Sequence, residues 1–255
     1  MSVSNQELNF INKSVALTIE KGFLSSFETL ISGFGKEIDF DSSDIQISLY
    51  SIARGEHEQA VTFIKKLVAL GVKFPDQVLI ASTSAAPEVA EAMYNINPDA
   101  FNEAKGEYLR GIVFDSLKAG ATETAQRLVD IGVTFNKENV SAKSLLNLLG
   151  SKHGIDCAIF AISNIKYKKG DFDNLGNIAE ELKIESLVRT DLIESIYNNN
   201  ELSHLFKNEK LINCAYFSGN HTLLKFLETK GELTKPTISF NDFMNINEEN
   251  EAVKL

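Results

Sequence analysis

The sequence predicts an all-α chain built as an α-solenoid, a stack of short helix pairs, and three observations carry that prediction. Within residues 210–234, KLINCAYFSGNHTLLKFLETKGELT, two apolar stripes at helical spacing flank a glycine turn. Leu211, Ile212, Ala215 and Tyr216 form the first stripe; Leu223, Leu224, Phe226 and Leu227 form the second. The turn glycine and the closing glycine of that unit, Gly219 and Gly231, lie 12 residues apart, and Gly120 and Gly132 repeat the same distance. Apolar residues that end successive stripes, Phe40, Phe74, Phe101, Phe135 and Tyr167, recur after 34, 27, 34 and 32 residues, the signature of a repeat of about 33 residues.

Taken in order, residues 1–36 read as an N-terminal helical cap. Phe10, Ile11, Val15, Ile19, Phe23, Phe27, Leu30 and Ile31 fall roughly on one side of a helix, and Gly22 divides the segment into a pair. A stack needs a terminal unit with a polar outer face, and this segment is placed to be that unit; a generic N-terminal helix is the alternative. Residues 37–236 then hold six or seven units. They end at Ile38-Asp39-Phe40, Gly71-Val72-Lys73-Phe74, Pro98-Asp99-Ala100-Phe101, Gly132-Val133-Thr134-Phe135, Asn164-Ile165-Lys166-Tyr167 and Gly231-Glu232-Leu233-Thr234, with room for two between Tyr167 and Thr234. Gly55 and Gly71 are 16 residues apart, which predicts a second helix lengthened by about one turn. Residues 137–207 are the least regular. Residues 237–255 form an acidic tail.

The unit at residues 210–234 resembles an ankyrin repeat, and the others resemble degenerate copies of it. In that family a first helix reading L-H-x-A-A is followed by a G-H turn, a second helix and a terminal glycine, which Leu211 to Gly231 approximates. The chain departs from the family at its T-P-L-H motif: Lys210-Leu211-Ile212-Asn213 and Gly111-Ile112-Val113-Phe114 stand there instead, leaving the usual β-hairpin finger in question. A tetratricopeptide-like or other helical repeat remains the structural alternative, although its Trp-Leu-Gly-Tyr pattern is missing. The resemblance implies protein binding on the first helices and the loops between repeats. Alignment on the turn glycines puts Tyr50 and Arg54, Asp115 and Lys118, and Cys214 and Phe217 on that partner-binding face, with Val113, Ala215 and Leu223 turned inward.

Composition narrows the classes further. The chain has 255 residues with 44% hydrophobic content, enough for a continuous core. Its net charge is −10, with 17 acids and 11 bases in residues 1–127 and 18 and 14 in the rest. That balance argues against nucleic-acid binding, which needs a basic face, and suits a monomer. The N-terminus has no basic start with an apolar run, and no 18 consecutive residues are apolar, so neither a secretory leader nor a membrane span is expected. Cys157 and Cys214 lack C-x-x-C spacing and read as reduced thiols of a cytoplasmic protein.

No catalytic residue, metal ligand or cofactor site is assigned. His57, His153, His204 and His221 match no zinc pattern, and His57 and His221 each follow a turn glycine by two residues, where a structural role is expected. Gly33-Phe34-Gly35-Lys36 lacks the phosphate-loop spacing, Glu180-Glu181 and Glu248-Glu249 are sequence neighbours that diverge on a helix, and Cys157 near His153 reads as a core thiol. An enzyme, or a regulator of one, with a site assembled from distant repeats is the second functional reading.

After Pro236 the pattern stops. The tail carries Glu248, Glu249 and Glu251 before Val253 and Leu255, and it resembles the C-terminal signal of effectors exported by Dot/Icm-type type IV secretion systems. That resemblance implies delivery into a host-cell cytosol and a host protein or fellow effector as partner.

Overall fold

The computed structural model describes residues 4–104, 110–149, 154–171, 187, 189–207 and 209–239, and among them there is no strand. The chain is all-α and forms two compact units, Met1–Phe135 and Asn136–Leu255. The first holds α1 (Asn5–Lys21), α2 (Leu24–Phe34), α3 (Ser43–Ala53), α4 (Ala60–Ala69), α5 (Asp76–Ile80) running into a 3₁₀ turn (Ala81–Ser84), α6 (Pro87–Tyr94), α7 (Pro98–Glu103), α8 (Ile112–Lys118) and α9 (Thr122–Asp130). The second holds α10 (Ala142–Leu149), α11 (Ile155–Asn164), α12 (Thr190–Asn198), α13 (Glu209–Phe217) and α14 (His221–Thr229).

Local chemistry explains where these helices start and stop. At the start of α1 the Ser4 hydroxyl accepts from the Glu7 amide while the Glu7 carboxylate accepts from the Ser4 amide at 2.8 Å, a reciprocal cap. The backbone bond from Ser4 holds the Glu7 carboxyl below its ordinary pKa. At the other end one motif recurs: a glycine amide bonds three residues back, and the next amide bonds five back. Gly22 and Phe23 do this on Ile19 and Thr18, Gly120 and Ala121 on Leu117 and Ser116, Gly219 and Asn220 on Tyr216 and Ala215. It satisfies carbonyls that the helix itself leaves unpaired, and the left-handed turn it needs is why glycine stands there.

Within each unit the helices pack in rows. In the first, α1 packs along α3, α3 on α5, and the 3₁₀ turn on α8; the second helices follow as α4 on α6 and α6 on α9. Phe27 of α2 meets Phe63 of α4 edge-on at 5.2 Å. In the second unit α11 packs on α12 and α12 on α14. Val15, Ile19, Leu49, Ile52, Phe63 and Leu67 are fully buried in the first unit, and Ile193, Leu223 and Leu227 in the second, each side chain of this size being worth about 1.5–3 kcal/mol on burial. Buried hydroxyls on the first helices bond within their own helix, Thr18 to Val15 O, Ser48 to Ile45 O and Ser82 to Leu79 O, all at 2.7 Å.

Polar ties between helices recur at similar sequence separations. The His57 Nε2 lies 3.0 Å from Ile19 O, Thr124 Oγ1 donates to Ala85 O at 2.6 Å, and Asn220 Nδ2 donates to Leu187 O at 3.1 Å. Each tie runs from the start of a helix, or the turn before it, to a backbone carbonyl 33 to 39 residues earlier. Ion pairs keep similar separations: Lys66 with Glu28, Arg127 with Glu91, and Arg189, the residue before α12, with Asp156.

The structure corrects several expectations. The four extra residues between Gly55 and Gly71 do not lengthen the second helix: α4 has 10 residues against 9 in α9. They form the turn before α4 and carry His57 back onto Ile19. Pro98 opens a helix rather than closing a unit, because a proline at the first helical position loses no bond. Phe10 and Phe23 leave the buried side. The face of α1 that meets α3 is Ile11, Val15 and Ile19, to which Phe10 is one residue out of phase, and the break at Gly22 makes Phe23 the residue before α2. The outer face of the first pair is therefore not uniformly polar. His153, Glu180, Glu181 and residues 240–255 lie outside the described residues.

Candidate functional site

Counting back from each turn glycine gives the exposed register of the first helices. Five residues before Gly22, Gly55, Gly120 and Gly219 stand Leu17, Tyr50, Asp115 and Cys214, all exposed or half-buried; one residue before stand Lys21, Arg54, Ala119 and Ser218, all exposed. Seven residues before stand Val15, Ser48, Val113 and Ile212, all buried. Of the residues expected on a partner-binding face, Tyr50, Arg54, Asp115 and Lys118 lie in the first unit and Cys214 and Phe217 in the second. Tyr50, Asp115, Cys214 and Phe217 are half-buried; Arg54 and Lys118 are exposed. Val113, Ala215 and Leu223, expected inward, are fully buried.

The best-built part of this face is on α1 and α3. Arg54 lays its guanidinium over the Tyr50 ring at 5.8 Å from the centroid and reaches Glu56 at 3.9 Å. Stacked in this way, an arginine keeps its charge in water while its planar face covers the ring. Ile47, on the same face of α3 as Tyr50 and Arg54 by helical spacing, is 69% exposed, and Leu17 on α1 is 52% exposed. On the glycine register Leu17 is the counterpart of Tyr50, and α1 and α3 pack along each other. By helical register, Leu17 on α1 and Ile47, Tyr50 and Arg54 on α3 define a non-buried ridge along the packed pair. Its margin is charged: Glu20 bonds Lys21 at 2.5 Å and holds the lysine above its ordinary pKa.

Leu17 and Ile47 are the residues that sequence reasoning missed. The signal for Leu17 was present, since the offset that selects Tyr50 from Gly55 selects Leu17 from Gly22. Ile47 carried no such signal, because its counterparts eight residues before the later turns, Ile112 and Leu211, are buried.

Three grooves among the described residues lie elsewhere. One of about 480 Å³ runs between α2 and α4 over Phe27, Ile31 and Leu70, another of about 500 Å³ between α12 and α14, and a slot of about 650 Å³ beside Phe10 and Phe34. Histidine nitrogens are used structurally where the geometry is clear: His57 on Ile19 O and His204 on Glu201 O at 2.7 Å. No group of three or more His, Cys, Asp or Glu side chains among the described residues converges as a metal site would require. No helix among them is long and apolar enough to cross a membrane. Cys157 is buried and Cys214 half-buried, both as thiols. Comparison with protein-family models, curated proteins and solved structures returns no match.

Proposed function

We propose that this chain is a protein-binding module, an ankyrin-like α-solenoid whose partner lies across the first helices. The observation that carries the reading is the ridge of Leu17, Ile47, Tyr50 and Arg54. Two strongly exposed aliphatic side chains beside a stacked Tyr–Arg pair form the kind of patch that marks interaction surfaces. The solenoid part of the reading is supported by polar ties that repeat at 33 to 39 residues, and by the glycine motif that ends the helices. The ankyrin-like version draws its support from the 12-residue spacing of turn and closing glycines.

The partner is a protein, and the acidic tail favours a secreted bacterial effector that engages a host protein or another effector. Two experiments separate these claims. Ile47→Ser, Tyr50→Ala and Arg54→Ala combined should weaken capture of the wild-type partner from a host lysate at least tenfold, as loss of central interface residues does. The melting temperature should hold, because Ile47 and Arg54 are exposed and Tyr50 is only half-buried. Undiminished capture would discard the ridge as the binding face. Separately, deletion of residues 248–255 should abolish delivery of a reporter fusion into host cells with partner capture intact; equal delivery would remove the effector reading and leave the binding module.

A further inference from the structure

The groove of about 500 Å³ between α12 and α14 is unlike the ridge in chemistry and lies in the other unit. Thr190 and Glu194 of α12 face His221, Lys225 and Phe226 of α14 across it, with Lys230 at its end. The Lys230 ammonium sits 5.4 Å from the Tyr197 ring centroid and 5.3 Å from that of Phe226. Phe206 backs both rings, at centroid distances of 6.0 and 6.3 Å. Neither Lys225 nor Lys230 has a carboxylate within 4.0 Å among the described residues. In a chain of net charge −10, this is a cationic groove with one aromatic ring, Phe226, and a single acid, Glu194, in its lining.

We infer that this groove receives the chain's own acidic segment, residues 240–255. That segment carries Asp242, Glu248, Glu249 and Glu251 against one base, Lys254, and sets Phe240, Phe243, Met244 and Ile246 among them. Carboxylates match the two lysines, and aromatic or aliphatic side chains match the Phe226 ring in the lining. Position favours this occupant over a partner in trans. Thr237 is held to Asn213 of α13 by two hydrogen bonds, its amide to Oδ1 at 3.0 Å and Asn213 Nδ2 to Thr237 Oγ1 at 2.9 Å. The segment therefore begins beside the helix that packs on α14, and its residues span about 50 Å when extended, several times the length of a nine-residue helix of about 14 Å. Two exposed lysines attract weakly in salt, too weakly to hold a free peptide. A short tether supplies an effective concentration in the millimolar range, at which weak attraction suffices.

The test uses the full chain and a glutamate-specific protease, whose sites in the tail are cleaved slowly while the tail is docked. Lys225→Glu with Lys230→Glu should speed cleavage at residues 248–251 about tenfold, as should 0.5 M salt. Lys225→Glu alone, which leaves the Lys230 stacking untouched, should give part of the effect, and circular dichroism should stay helical in both. Glu248→Lys, Glu249→Lys and Glu251→Lys together remove those cleavage sites, so the charge swap is read by hydrogen exchange of the α14 amides. Protection lost in the double Lys→Glu chain should return when the tail is reversed as well. Identical cleavage in wild type and Lys→Glu chains would overturn the inference. It would also be overturned if an unrelated hexaglutamate peptide bound the wild-type groove with tail cleavage unchanged, since the groove would then serve a partner.

Discussion

Gly22 and Gly120 do the same backbone work among different neighbours, which allows two costs to be separated at single residues. Both end a helix with positive φ, 71° and 80°, where a Cβ is strained by about 1–2 kcal/mol. Beside Gly120 there is open space, whereas a Cβ on Gly22 would stand 2.8 Å from Cγ of His57. Gly120→Ala should therefore cost the backbone strain alone, and Gly22→Ala distinctly more. The excess should shrink in a His57→Ala background, as a double-mutant cycle on thermal or urea unfolding would reveal. Equal costs for the two alanines would mean that the His57 ring yields freely, and with it the tie to Ile19 O. His57 and Asn220 illustrate how one task passes between residue types: each places a polar side-chain nitrogen on a carbonyl of the preceding pair, while His221, the residue expected to match His57, is exposed at the start of α14.

Between elements, buried hydrogen bonds and exposed ion pairs hold neighbouring pairs with unequal force. On α9, Thr124 is 2% exposed and donates to Ala85 O on the element before α6. One turn along the same helix, Arg127 forms a forked pair with Glu91 of α6, at 2.7 and 3.0 Å, in water. Glu91 holds the arginine above its ordinary pKa, yet solvent and salt screen such a pair. Thr124→Val keeps the side-chain shape and strands a buried carbonyl, so it should cost about 1–3 kcal/mol. Arg127→Ala should cost less, and its effect should vanish at high salt. Melting curves at low and high ionic strength check both, and a larger loss from Arg127→Ala would show that the second helices are joined by charge rather than by the buried row.

For the molecule as a whole, acid is the informative stress because lowered carboxylates are distributed over both units. Glu7 is held below its ordinary pKa by the Ser4 amide, Asp171 by a hydrogen bond from Lys137, and Asp191 by a hydrogen bond from Arg189. Each is a stronger acid folded than unfolded. Its contribution is thus complete above the unfolded carboxylate value, about 4, and is lost as pH falls through the lower folded value. The melting temperature should change little from pH 8 to 5 and drop below about pH 4. Asp171→Asn should make that drop shallower, and an unchanged acid limb would mean that the Lys137 pair does not persist in solution.

The sequence by itself determined the all-helical class, the helix ends marked by turn glycines and much of the exposed register. Apolar spacing and turn glycines are local signals, because a helix end needs only its own last carbonyls and one residue that tolerates positive φ. Tyr50, Arg54, Asp115 and Cys214 could be placed on a non-buried face from Gly55, Gly120 and Gly219 alone for that reason. The tertiary structure decided what depends on neighbours distant in sequence. Phe10 is exposed because α3 takes the other face of α1, and Ile47 is exposed although Ile112 and Leu211 at the same offset are buried. The residues inserted after Gly55 became a turn because His57 finds Ile19 O there. The cationic groove exists because α12 and α14, more than 20 residues apart along the chain, lie side by side and set Thr190 and Glu194 opposite Lys225 and Phe226, with Lys230 over the Tyr197 and Phe226 rings. Periodicity fixes which side of a helix is apolar; which parts of that side are covered depends on the helix that packs against it.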